Sequence, residues 1–164
     1  MESEEVQLRK AEERIEEACR ISKRFKGFRV KAVLVKRWFD AQNCIKQHQM
    51  QDALKILSEV ERGVKATLVG FFRFSPSFFD NAFQPFLFSS SVDLRQKADE
   101  AMKKLSIFTT EKWIDLEKAA ELYQNVLYIL KEFREEEINL SPRRQTFSVR
   151  PRDRSQEYQK NMVS

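Results

Sequence analysis

Apolar or small residues at Leu8, Ala11, Ile15, Ala18, Ser22 and Phe25 follow steps of 3, 4, 3, 4, 3. The same steps return at Trp113, Leu116, Ala120, Tyr123, Leu127 and Leu130. This is the period of an α-helix with one buried stripe, whereas a half-buried strand alternates by two. The turn residues agree. With 3 Gly and 4 Pro in 164 residues, the chain lacks the regular breakers that a β-sandwich or barrel requires. The expected fold class is therefore all-α: an antiparallel helical bundle or elongated helical hairpins with near-heptad stripes, three to five helices in about one domain. The first run is shorter than the three or four heptads of a coiled coil, so it reads as one amphipathic helix that needs a partner.

The segments follow from the pattern. Residues 1–69 are expected to form the N-terminal helices, the first over Ser3–Lys26 with Ser3 as its cap and a break near Gly27. From about Val30 to Leu68, Val35, Trp38, Ile45, Ala53, Leu57, Val60 and Val64 share a broad face. That stripe thins over the polar stretch Gln42–Gln51, so a turn near His48 is preferred to one long helix. Residues 92–139 are expected to form a C-terminal helical pair. Its first helix begins at a Ser91 cap and carries Leu94, Ala98, Ala101, Leu105 and Phe108. Its second runs from Glu111 to about Asn139 and ends before Ser141-Pro142, because proline disfavours helix in the residue before it. Residues 140–164, with six basic and two acidic side chains, read as a disordered basic C-terminal tail.

Residues 70–91 break the pattern. They hold eight Phe, five Ser, two Pro and one Leu among 22 residues, with no evident helical or strand period. The expectation is an irregular segment whose rings pack back onto the helices, since exposed they would promote aggregation. A second reading is retained or alternative sequence, because Phe, Ser, Pro and Leu are the residues that pyrimidine-rich codons encode. Joining Val69 to Val92 would leave apolar residues at helical spacing with no breaker.

Chemistry is sparse. The chain has one histidine, so most His-dependent catalysis is excluded. Cys44 and His48 lie four apart and could give two zinc ligands, but a structural site needs about four and Cys19 is the only other soft ligand. The expected reading is a buried thiol beside a surface histidine. Neither a P-loop nor GxGxxG is present, and no glycine-rich turn precedes a nucleophile. The runs Glu12-Glu13, Glu16-Glu17 and Glu135-Glu136-Glu137 read as solvated helix faces. No catalytic residue, metal, cofactor or small-molecule substrate is expected. An acidic start without an apolar core segment argues against a secretory signal, and no window offers the roughly 18 apolar residues of a membrane span. Two cysteines do not make a disulfide framework. The expected location is intracellular, cytoplasmic before nuclear.

Charge is laid out unevenly. Arg20, Lys23, Arg24, Lys26, Arg29, Lys31, Lys36 and Arg37 form a run with no acidic residue between Glu17 and Asp40, interleaved with Phe25, Phe28, Trp38 and Phe39. If helical, it would span about 25 Å and could follow phosphates of nucleic acid or of an anionic membrane. Against this, the aromatic rings are expected to face the core, and seven Glu in the first 17 residues could neutralise the run. Arg143, Arg144, Arg150, Arg152 and Arg154 could add a second contact, weakened by phosphorylation at Thr146 or Ser148.

Leu116-Glu-Lys-Ala-Ala-Glu-Leu-Tyr-Gln-Asn-Val126 resembles the second helix of a tetratricopeptide repeat, or a helix of the three-helix microtubule-interacting-and-trafficking domain, and Asp52–Leu57 is similar. No 34-residue period recurs, so neither family is assigned. The functional expectation is a non-enzymatic helical interaction protein, an adaptor or assembly subunit, binding a protein partner or itself through amphipathic helices. The alternative is weak, sequence-tolerant nucleic-acid or anionic-membrane binding through residues 20–37.

Overall fold

The structure, a computed structural model, describes residues 2–140. All regular structure among them is helical: α1 (Glu4–Ser22), α2 (Ala32–Lys46), α3 (Met50–Arg73), α4 (Ser75–Phe83), a short 3-10 turn (Gln84–Phe86), α5 (Val92–Phe108) and α6 (Leu116–Leu140). The tail expected from residue 140 onward lies, apart from Leu140 at the end of α6, outside the described residues.

Local chemistry sets the starts. The Ser3 and Ser91 hydroxyls accept from the Val6 and Leu94 amides at 3.3 Å each, capping α1 and α5. Glu4, Glu5 and Asp93 add negative charge in those first turns, where the helix dipole favours it. α2 and α3 are joined through Gln47-His48-Gln49, with His48 in the left-handed region at φ 61°, so a hairpin forms and not one long helix.

Side-chain pairs fix the directions. Gln51 donates to Glu4, and Arg14 meets Glu61 at 3.1 Å, so α1 and α3 run the same way. α2 opposes both: Gln42 donates to Glu12 at 2.6 Å, and Arg37 meets Glu59 at 2.9 Å. A Cβ added at Gly63 would sit 2.7 Å from a terminal methyl of Leu34, so the missing side chain there gives α2 its close seat on α3. α5 and α6 form an antiparallel pair, held by Lys97–Glu132 at 2.9 Å and by the Ser91 amide on Glu136 at 2.7 Å.

Two apolar clusters share α3. Ala53, Leu57, Val60 and Val64 bury against Leu8, Ala11, Ile15 and Ala18 of α1 and Ala41 of α2. Further along, Leu68 and Phe72 enter a second cluster with Phe25, Phe79, Phe83, Leu105, Tyr123, Leu130 and Phe133. Burying one such side chain contributes about 1.5–3 kcal/mol.

Several expectations need correction. Residues 70–91 are mostly helical, not irregular: α3 continues to Arg73, α4 follows, and Phe72, Phe79 and Phe83 are buried. Pro76 does not oppose this helix, because it sits in the first turn of α4, where a missing N–H breaks no helical hydrogen bond. α1 stops at Ser22, before Lys26, and the Ser22 hydroxyl bonds back to the Cys19 carbonyl at 2.6 Å. α6 starts at Leu116 instead of Glu111. Asp115 accepts from the Glu117 amide at 3.0 Å and sets that boundary, leaving Trp113 outside the helix and 82% exposed. Val35 faces solvent, since Leu34, Trp38, Ala41 and Ile45 form the inner side of α2.

Gly27, at φ 87°, redirects the chain between α1 and α2, and a Cβ would meet open space there. Only the backbone conformation is at stake. Gly27→Ala is expected to cost about 1 kcal/mol, seen as a lower urea midpoint with unchanged slope. An unchanged midpoint would mean that the turn relaxes to negative φ at no cost.

Candidate functional site

The eight basic residues do not form one helical ladder. Arg20 lies in the last turn of α1, Lys23 to Lys31 form the connection, and Lys36 and Arg37 stand in α2. Aromatic burial is the reason. The Phe25 ring is 1% exposed, 4.9 Å from the Tyr123 ring and edge-on to Phe71 and Phe72. Phe28 stacks edge-on to Phe71 at 5.4 Å, and the Tyr123 hydroxyl donates to the Lys26 carbonyl at 3.1 Å. The connection is therefore pulled onto the second cluster. Burial pushes the Tyr123 phenol up from its usual range.

Three of the eight cations are paired. Arg20 meets Glu17 one turn away. Arg24 donates to Gln124 at 2.8 Å and lies 3.7 Å from Glu117, both on α6. Arg37 joins Glu59 at 2.9 Å and Asp40 at 3.6 Å. Apart from Glu17, the N-terminal glutamates do not neutralise this run: its counter-charges come from α2, α3 and α6. Lys23, Lys26, Arg29, Lys31 and Lys36 are exposed and form no ion pair among the described residues.

The candidate metal pair differs in setting. His48 is exposed in the turn beyond α2, whereas Cys44 is half-buried within it. Among the described residues no group of three or more His, Cys, Asp or Glu could hold a metal ion. Cys19 is half-buried and free; burial pushes its thiol up, and Glu16 adds to this while Lys23 opposes it. Glu61 is ion-paired on α3. Partial burial works to raise its carboxyl, but hydrogen bonds from Lys65 at 2.7 Å and Arg14 at 3.1 Å outweigh it and hold it below the usual range. Glu61 therefore favours the fold above the normal carboxylate range, and that contribution fades as pH falls through its lowered value.

Among the described residues, clefts on the surface include three of similar size. One, of about 500 Å³, lies between α1 and the start of α6 and is lined by both charge signs, with Lys10, Glu13, Arg14, Glu17, Asp115 and Glu117. A second, about 510 Å³, is mainly acidic and sits between α5 and α6 at Asp93, Glu132, Glu135 and Glu136. The third, about 590 Å³, is more aromatic than these two. Phe83 and Phe133 line it, Met102 and Ala98 of α5 form a wall, and Leu87 and Phe88 stand at the 3-10 end, with Asp80, Arg95 and Asp99 beside them. Phe88 is fully exposed.

Sequence reasoning missed this third cleft. Its signal was the Phe-rich segment, but which rings turn inward depends on how α4 docks. No helix among the described residues is long and apolar enough to cross a membrane. No known protein family, curated protein or solved structure matches the chain.

Proposed function

We propose that the protein is a non-enzymatic helical interaction protein, an adaptor or a subunit of a larger intracellular assembly. It receives a protein partner in the cleft between α4 and α5. The observation that carries this reading is Phe88, 100% exposed beside Leu87 at a cleft whose floor is already apolar. An aromatic ring left in water next to a concave apolar wall gains free energy when a partner covers it. Asp80, Arg95 and Asp99 at the cleft supply polar groups for orientation. The apolar sides of α1 and α3 are buried against each other, which leaves the cleft as the better place for a partner.

Proximity labelling tests this with the intact chain and with Leu87→Ser/Phe88→Ser. Both positions are exposed, so the double variant should keep its helical signal and melting temperature. Loss of a defined set of neighbours by severalfold is the expected outcome. An unchanged neighbour set, with a monomer in sedimentation, would sink the reading.

A second reading is favoured by one observation: Lys26, Arg29, Lys31 and Lys36 are exposed and unpaired with any described carboxylate. That surface suits an anionic partner, bound weakly and in a salt-sensitive way.

A further inference from the structure

We propose that the outer face of α2 is a docking surface for an anionic lipid membrane, which rests on the second reading above and names its partner. Ala32, Val35, Lys36, Phe39, Asn43 and Lys46 recur at helical spacing and are all exposed, so they share one face. Phe39 is 65% and Val35 41% exposed. The inner side of the same helix is already taken up by α3. α2 therefore buries one apolar side and leaves Ala32, Val35 and Phe39 uncovered on the other.

Charge chooses the occupant. Asp40 is the only carboxylate of α2, and Arg37 holds it at 3.6 Å. By helical spacing Lys31 and Lys36 flank Val35 and Phe39 on opposite sides, and Lys46 ends the helix in line with them. Short apolar side chains bordered by lysines, along a helix of about 22 Å, match the boundary between headgroups and acyl chains. Lysine stems lie along the apolar layer while their ammonium groups reach the phosphates. A duplex offers Val35 and Phe39 nothing apolar to enter.

Vesicle co-sedimentation of the full chain tests the proposal, with phosphatidylcholine vesicles alone and with about a third phosphatidylserine. Binding to the anionic vesicles only is expected, weakening as salt rises. Phe39→Ser should lower partition about tenfold or more, from the lost apolar burial. Lys31→Glu/Lys36→Glu should lower it about 25-fold or more, each lysine near the surface being worth about a factor of five. All these positions are exposed, so unchanged melting curves separate lost binding from lost fold. Leu87→Ser/Phe88→Ser should leave vesicle binding intact, which distinguishes failure here from failure of the partner cleft. The proposal is overturned if anionic vesicles are not bound at low salt. It is equally overturned if binding depends on the lysines but not on Phe39, or if a labelled single-stranded oligonucleotide binds under conditions where vesicles do not.

Discussion

A chain joined from Val69 directly to Val92 will lose its cooperative thermal transition. The deletion removes Phe72, Phe79 and Phe83, which are 0%, 0% and 7% exposed in the second cluster. Each buried phenylalanine lost costs about 3–5 kcal/mol, and the sum reaches the whole stability of a typical domain, about 5–15 kcal/mol. The junction adds a topological conflict. Without the turn through α4, α3 would run straight into α5, and the α5–α6 pair could no longer fold back onto the Leu68 end of α3. The expected product keeps much of its helical circular dichroism but melts without a sigmoid and binds a hydrophobic dye. A cooperative transition in this deletion would show that the second cluster can close without its phenylalanines. It would also favour reading residues 70–91 as retained or alternative sequence, since a form lacking them would then be a stable protein.

Phe25→Ala is expected to lower stability by about 3–5 kcal/mol, or about 2–4 °C in Tm for each of these. Phe25 is the side chain through which the basic connection is anchored, with Tyr123, Phe71 and Phe72 around it. Tyr123→Phe separates packing from polarity. It keeps the ring and removes only the donor to the Lys26 carbonyl, at about 1 kcal/mol. The two variants should therefore differ severalfold in effect in urea unfolding.

Tyr123 also carries a pH signature. Its folded phenol is raised by burial, so its contribution is fully present below the unfolded phenol's value of about 10 and is lost as pH rises through the raised folded value. Alkaline melts of the native chain should fall in that window. Those of Tyr123→Phe should fall less steeply. Equal slopes would mean that the hydroxyl is solvated in the folded state.

The helical class was legible because it depends on spacing, and spacing is local. The stripe Leu8, Ala11, Ile15 and Ala18 is buried as its steps require, and the hydroxyls of Ser3 and Ser91 cap their helices. Period alone does not stop a helix. The 3, 4 steps ran back to Trp113, but Asp115 captured the first amides of α6 and left that ring in solvent. Nor does period choose a face when both are apolar. Leu34 and Val35 are adjacent and similar in size, yet the room left at Gly63 takes Leu34 and turns Val35 outward.

The Phe-rich segment shows the same division. Leu68, Phe72, Phe79 and Phe83 follow a helical spacing, but Phe74, Phe78 and Phe88 hide it, because composition counts a ring without saying where it points. Only docking of α4 against α6 separates the rings that build the core from the one that stands free at a cleft. The basic run was likewise visible as a list of charges. Its pairing was not: Arg24 finds Glu117 and Gln124, and Arg37 finds Glu59, across sequence distances that no local pattern encodes. Sequence by itself determined the helical class and the buried stripes outside residues 70–91, since those follow from neighbours within a turn. Tertiary structure decided which faces remain for a partner, since exposure is what is left after every helix has packed against the others.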